Sequence, residues 1–318
     1  MNEEILKDLG KKIDKNTQVN YALLMSNIIL NSKSIKDEAH REILLLLLQD
    51  RDRNYIRIND NEEVFANIKR YLELLRPLNI DTKELVRIGG KSDGGYVIYK
   101  DKNLNLALGG GVLPARNLKA ISLGVSESSP WDLEMANLGY QVIEYDASIE
   151  KCPYEHKNIK FHKKFVGVET KGDFISLEAV IEQNGLDEKM ENILQIDIEN
   201  AEWDILERID MKLIERYFTQ VIFEFHGCNP EEFQGAQKRF KVLEKLSENY
   251  QVIHTHLNNH GKIFYSRGFF LSTTIEVSFL RKDLLPQGKS ELRTRGNLKD
   301  LDYPVFEPNP EIPLLFTK

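Results

Sequence analysis

The feature that most constrains this chain is an alternation that runs from about residue 120 to residue 280. Seven short β-rich runs occur: AISLGVS (120–126), YQVIEYDAS (140–148), IKFHKKFVG (159–167), NILQIDIE (192–199), QVIFEFHG (220–227), YQVIHTHLN (250–258) and TTIEVSFL (273–280). Between them lie WDLEMANLG (131–139), FISLEAVIEQNG (174–185), AEWDILERI (201–209) and PEEFQGAQKRFKVLEKLSEN (230–249), each with apolar residues at helical spacing. Strands that alternate with helices in this way build a mostly parallel sheet covered by helices on both faces. The expected fold class is therefore α/β, a doubly wound seven-stranded sheet. The seventh run follows the sixth without a long helix, which predicts an antiparallel strand at the sheet edge.

The flanks read differently. Gly10 and Pro77 are the only glycine and proline in residues 1–80, and apolar residues recur there at helical spacing (Ile5, Leu9, Ile13; Val64, Ile68, Leu75). Residues 1–80 are expected to be a helical region for packing, dimerisation or a lid, residues 81–285 the main domain, and residues 286–318 a surface tail. LVRIGGKSDGGYVIY (85–99) reads as two short strands joined by a glycine-rich turn.

Composition removes several classes. With 43 Lys and Arg against 50 Asp and Glu, the net charge is −7, the wrong sign for a general nucleic-acid binder. Cys152 and Cys228 are too few for a disulfide framework or a thiolate zinc site. The longest aliphatic run, Ile43 to Leu48, falls far short of the roughly 20 residues of a membrane span. The N-terminus lacks the apolar core of a signal peptide. These features predict a reduced, cytoplasmic protein.

In an open α/β sheet, ligands sit outside the carboxyl ends of the strands. The first run ends at Gly124, in the turn before a helix, where a glycine lets backbone approach a ligand and the helix N-terminus offers free N–H donors. Asp146 ends the second run, at the distance along the chain where such domains place an acid on ribose hydroxyls. The fourth run carries Asp197 and Glu199, the fifth Glu224 and His226, and the sixth His254, His256 and Asn258, each set spaced by two and so on one face of its strand. This group suits removal of a hydroxyl proton, with His226 or Glu199 as base. It equally suits a divalent Mg, Mn or Fe held by Asp197, Glu224, His226 and His256.

Residues 120–280 resemble a class I S-adenosylmethionine-dependent methyltransferase, which has a Rossmann-like sheet. ILQIDIENAEWDIL (193–206) resembles the fourth motif of the FkbM-like and related sugar O-methyltransferases, K-I-D-[IV]-E-G-x-E, with Gln195 in place of the lysine and Asn200 in place of the glycine. RIGGKSDGGYVI (87–98), VIFEFHG (221–227) and HTHLNNHG (254–261) resemble segments of a methyltransferase-like group from bacterial surface-polysaccharide clusters. SLGVSESS departs from the family's G-x-G-x-G loop by having a single glycine. The resemblance covers residues 85–285. It implies that Gly124 and Glu127 line the methionine part of S-adenosylmethionine, that Asp146 holds the ribose, and that Ser148 and Ile149 lie near the adenine. Asp93, Gly94 and Gly95 would close over the cofactor, and Asp197 would stand between cofactor and acceptor. The implied acceptor is a sugar or sugar nucleotide; the N-terminal helices, outside the resemblance, are a candidate surface for homo-oligomerisation. Two other readings are a catalytically silent module of the same fold and a nicotinamide-dependent oxidoreductase. The oxidoreductase should show G-x-G-x-x-G, which ISLGVSES lacks.

Overall fold

The computed structural model describes residues 9–13, 15–16, 19–20, 56–111 and 118–317. The chain divides into two compact units, Met1–Ile56 and Arg57–Lys318. In the first unit, residues 9–13, 15–16 and 19–20 are helical. The aliphatic run at 43–48 and the expected oligomerising surface of the N-terminal region lie outside the described residues.

The second unit is built on seven strands: β1 (Lys119–Leu123), β2 (Gln141–Tyr145), β3 (Ile159–His162), β4 (Asn192–Ile196), β5 (Phe218–Phe225), β6 (Tyr250–Leu257) and β7 (Ile275–Arg281). Their order across the sheet is β6-β7-β5-β4-β1-β2-β3. Neighbours from β5 to β3 run parallel, whereas β7 is antiparallel to both β5 and β6. The predicted antiparallel seventh strand therefore exists, but it is inserted between β5 and β6, and β6 forms the edge. Central strands are covered on both faces, so β4 and β5 are buried at every residue, including the polar Asn192, Gln195, Thr219, Gln220 and Glu224. This seven-stranded, largely parallel α/β sheet matches the topology of Rossmann-like class I methyltransferases.

The flanking helices are α1 (Glu62–Leu74), α2 (Lys102–Leu108), α3 (Pro130–Asn137), α4 (Leu177–Gln183), α5 (Ala201–Arg208), α6 (Met211–Tyr217) and α7 (Phe233–Asn249). Local chemistry starts several of them. Asn61, Asp101, Ser176 and Asp210 each cap a helix by accepting a backbone N–H, and Pro130 opens α3. The cap at Asp210 marks α6, a helix absent from the sequence expectation. α1 buries Val64, Ile68, Tyr71 and Leu72 at helical spacing. It packs on α7, where the Tyr71 and Phe240 rings meet at 4.7 Å.

Two predicted elements are divided. The run 159–167 stops at His162, and Phe165–Gly167 pairs instead with Phe174–Ser176 in a separate two-stranded sheet. The helix expected from residue 174 consequently begins at Leu177. The hairpin Leu85–Ile88 with Tyr96–Tyr99 forms as expected. It packs Ile88, Tyr96 and Ile98 against Trp131, Met135, Ala120 and Ile193. Residues after 286 are tied into this unit: Ile312, Leu314 and Phe316 are buried, and Arg76 donates to the carbonyls of Leu292, Arg293 and Thr317. No helix among the described residues is long and apolar enough to cross a membrane.

Candidate functional site

The ends of β1, β2 and β4 are knitted together by one turn. Gly124 follows β1 with φ +83°, and a Cβ there would overlap the carbonyl oxygen of Asp197. Asp197 in turn donates its N–H to Leu123 at 2.8 Å, and Gly124 donates to Tyr145 at 3.0 Å. The glycine is thus required by the adjacent strand end, and it also lines the neighbouring cavity. Asp146 accepts four hydrogen bonds: from the N–H groups of Val125 (2.9 Å) and Ser126 (2.8 Å) on one oxygen, and from the N–H and hydroxyl of Ser148 (2.7 and 2.6 Å) on the other. Burial would raise its pKa, but these bonds outweigh burial and hold the carboxyl below its ordinary value. The N–H groups of Val125 and Ser126, directly after Gly124, are therefore taken by Asp146, which fixes the turn.

The β4–α5 connection carries Asp197, Glu199 and, at the start of α5, Glu202. Strand pairing ends at Ile196, so Asp197 and Glu199 do not share a strand face. Glu199 (φ +54°) and Asn200 (φ +79°) both occupy the left-handed region, which is unusual for two consecutive non-glycine residues. Asn tolerates this conformation better than most side chains, which accounts for Asn200 standing where the motif has glycine. The turn swings the Glu199 carboxylate to 3.6 Å from Nε2 of His226. Asp197 Oδ1 and Glu224 Oε1 each lie 3.7 Å from the same nitrogen. On the other side of the ring, Nδ1 is 2.7 Å from Oε1 of Glu202.

Charge crowding shapes these groups. Burial above all, with the charges of Glu202, Asp93 and Glu199 and against the pull of His226, leaves the Asp197 carboxyl pushed up to about 7. Glu224 is raised well above its ordinary value by burial and then by Asp197, Glu276 and Asp93. Burial alone would lower His226, but its bond to Glu202 and the charges of Glu202, Asp197 and Glu199 raise it overall. A site that raises its acids and its imidazole together is one that favours a cation at its centre. Asp197, Glu199 and His226 can each offer one ligand atom, all within 4.8 Å of one another.

Beside this group lies a cavity of about 360 Å³, within the about 300–1,000 Å³ usual for small-ligand pockets. Its lining includes Asp93, Gly94, Gly124, Glu127, Asp146, Ser148, Asp197 and Glu199. A second cavity of about 620 Å³ is lined by Glu127, Ser148, Ile149 and residues 150–153 and 155. Glu127 and Ser148 line both, so the two spaces adjoin. Gly95 faces elsewhere, against the Gly90 carbonyl and the Arg87 guanidinium.

The sixth-strand histidines are not brought to this group. His256 has both ring nitrogens engaged, Nδ1 with Glu276 at 3.0 Å and Nε2 with Glu311 at 2.7 Å, so it has no lone pair to give a metal shared with His226. His254 Nε2 lies 2.8 Å from Asp302. Asn258 alone of that set reaches across, donating to Glu224 at 2.9 Å. Glu224, expected as a ligand, also has a carboxylate oxygen 3.7 Å from His226 Nε2, but it is not one of the three residues whose ligand atoms all lie within 4.8 Å of one another. Trp131 and Trp203 are buried packing residues, the latter stacked on Phe225 at 4.5 Å.

Tyr96, Gln195 and Glu202 were not expected in the site. The Tyr96 hydroxyl lies 3.5 Å from both Asp197 and Glu224, and Gln195 donates to it at 3.4 Å. The signal for Glu202 was present in the sequence, since it is the closing acid of the IDIENAE motif. Tyr96 carried none, because the hairpin that positions it is remote in the chain. No family model matches the chain, and no curated protein matches it in sequence. The α/β fold is compatible with a methyltransferase-like enzyme, and Asp197, Glu199 and His226 form a group able to chelate a metal ion.

Proposed function

We propose that this chain is an S-adenosylmethionine-dependent O-methyltransferase acting on a hydroxyl of a sugar or sugar nucleotide, in the making of capsule or another surface polysaccharide. The observation that carries the reading is that the cavity at the Gly124 turn and the acid–histidine group share a wall, since Asp197 and Glu199 belong to both. The class I sheet order supports the cofactor, and the motif resemblance of residues 85–285 supports the acceptor. The two adjoining cavities fit an elongated nucleoside. Gly124 and Glu127 would line its amino-acid part, Ser148 and Ile149 would lie by its base, Asp93 and Gly94 would cover it, and Asp146, which lines the same cavity, would hold the ribose. When bound, S-adenosylmethionine supplies a sulfonium methyl that passes in line to an acceptor oxygen, with a thioether as leaving group.

The residues of the chain have separate tasks. Asp197 lies between the cavity and His226 and orients the acceptor hydroxyl, a contribution of position. His226 takes the hydroxyl proton at Nε2, which is worth about 10²–10⁴ in rate for a well-placed base. Asp197, Glu199 and His226 would hold a divalent Mg, Mn or Fe, whose chemistry is to lower the pKa of a bound hydroxyl. The Asn258–Glu224–Tyr96 contacts keep the buried acids hydrogen-bonded behind the group.

Calorimetric titration with S-adenosylmethionine and with NAD tests the reading. Heat with the first and none with the second is expected; no heat with S-adenosylmethionine overturns it. Methyl uptake by a panel of sugar nucleotides then identifies the acceptor. Loss of turnover in excess chelator favours the cation, and full turnover leaves His226 acting alone.

A further inference from the structure

We infer that Glu202 is a positioning residue that fixes the ring of His226, with Nδ1–H toward its own carboxylate and the Nε2 lone pair toward the gap bounded by Asp197, Glu199 and Glu224. The inference deepens the reading above and rests on His226 working at that gap.

The two sides of the ring are built differently. Nδ1 lies 2.7 Å from a single acceptor, Glu202 Oε1. Nε2 faces three carboxylate oxygens at 3.6–3.7 Å, too long for hydrogen bonds and wide enough for a cation or an incoming hydroxyl between them. A carboxylate only accepts, so Glu202 obliges Nδ1 to carry the hydrogen. The remaining lone pair of a neutral imidazole is then committed to Nε2.

Glu202 is also a poor choice for mere packing. Its side chain is 0% exposed, and its second oxygen, Oε2, has no hydrogen-bond partner among the described residues. A buried pair of this kind is often replaceable by apolar side chains at no loss of stability, so a half-used buried carboxylate calls for another reason. The next residue supplies a second grip. Trp203 donates its indole N–H to the carbonyl oxygen of His226 at 2.7 Å, and its ring stacks on Phe225. Consecutive residues in the first turn of α5 thus hold residue 226 by its ring and by its backbone. The left-handed pair Glu199–Asn200 is what aims that turn. It sets Glu199 on the Nε2 side of the ring and Glu202 on the Nδ1 side.

With the ring so held, a hydroxyl proton passes to Nε2 and the resulting imidazolium is stabilised by Glu202, or Nε2 gives its lone pair to a cation shared with Asp197 and Glu199. Both uses need the same tautomer.

The test compares the wild type with Glu202→Gln, which keeps an acceptor oxygen, and Glu202→Met, which has none. ¹⁵N-histidine-labelled protein is read by two-bond ¹H–¹⁵N correlation at alkaline pH, where the ring is neutral. The expected result is Nδ1–H at His226 in the wild type and in Glu202→Gln, and a shift to Nε2–H in Glu202→Met. Mn²⁺ affinity, followed by electron paramagnetic resonance, should fall about 10–100-fold in Glu202→Met. Nε2–H in the wild type, or an unchanged tautomer and unchanged Mn²⁺ affinity in Glu202→Met, overturns the inference. Should Glu202→Met fail to fold, the wild-type and Glu202→Gln patterns decide it. Failure of the methyltransferase reading would show separately, as absent S-adenosylmethionine heat in the wild type with the ring readout intact.

Discussion

Two histidines leave the ends of nearby strands with similar neighbours and meet opposite fates. His226, just beyond β5, has one ring nitrogen on Glu202 and the other facing an open, acid-lined gap. His256, within β6, has both nitrogens bonded to carboxylates, Glu276 on β7 and Glu311 in the C-terminal segment. The first arrangement leaves an unsatisfied donor set beside a cavity. The second closes on itself and ties residues 286–317 to the sheet edge, with the His254–Asp302 pair alongside. What separates the imidazole proposed to react from the structural one is whether its second nitrogen is already engaged.

Four expected outcomes press on that contrast. The largest concerns His256→Ala, which strands Glu276 and Glu311. Breaking one partner of a buried pair costs about 3–5 kcal/mol, so thermal unfolding should shift down sharply while S-adenosylmethionine affinity, measured on folded protein, stays near that of the wild type. His226→Ala should do the reverse. Turnover should fall about 10²–10⁴-fold with cofactor affinity kept; collapse of cofactor affinity instead would mean that His226 sits on the wrong side of the site.

The third outcome is a pH dependence of stability from the His256 and Asp302 anchors. Burial would lower His256, but Glu276 and Glu311 hold it well above its ordinary 6.5. Its contribution is therefore complete below about 6.5 and declines as pH rises toward the folded value. Asp302 is shifted the other way: burial would raise it, but His254 holds it below its ordinary 3.8. Its contribution is present above about 3.8 and is lost as pH falls toward the folded value. Urea denaturation across pH should show both limbs, and Asp302→Asn should flatten the acid one. An acid limb unchanged in that variant would remove Asp302 from the account.

The smallest effect belongs to Asn200. Asn200→Ala should cost about 1 kcal/mol, since alanine adopts a left-handed conformation less readily, and Asn200→Gly should stay within that. Equal stability of all three in denaturant titrations would mean that the turn is not strained.

The candidate site was partly legible. Asp197, Glu199 and His226 were expected together and are found together, although the period-two argument that grouped Asp197 with Glu199 does not hold beyond Ile196. The same argument failed for His256 because β7 entered between β5 and β6 and brought Glu276 opposite it. Gly124 and Asp146 were found by their spacing. Their contacts with Asp197 and with Ser126 and Ser148 became visible only once the strand ends met.

By itself, the sequence determined the α/β class, the seven strands and the acids at their ends, because those follow from local periodicity and from short-range caps and turns. Tertiary structure alone decided where β7 inserts, which histidine keeps a free nitrogen, and that Tyr96 joins the site. Those outcomes depend on contacts between residues distant in the chain, where burial and the competition for hydrogen-bond partners choose among arrangements that local pattern leaves equal.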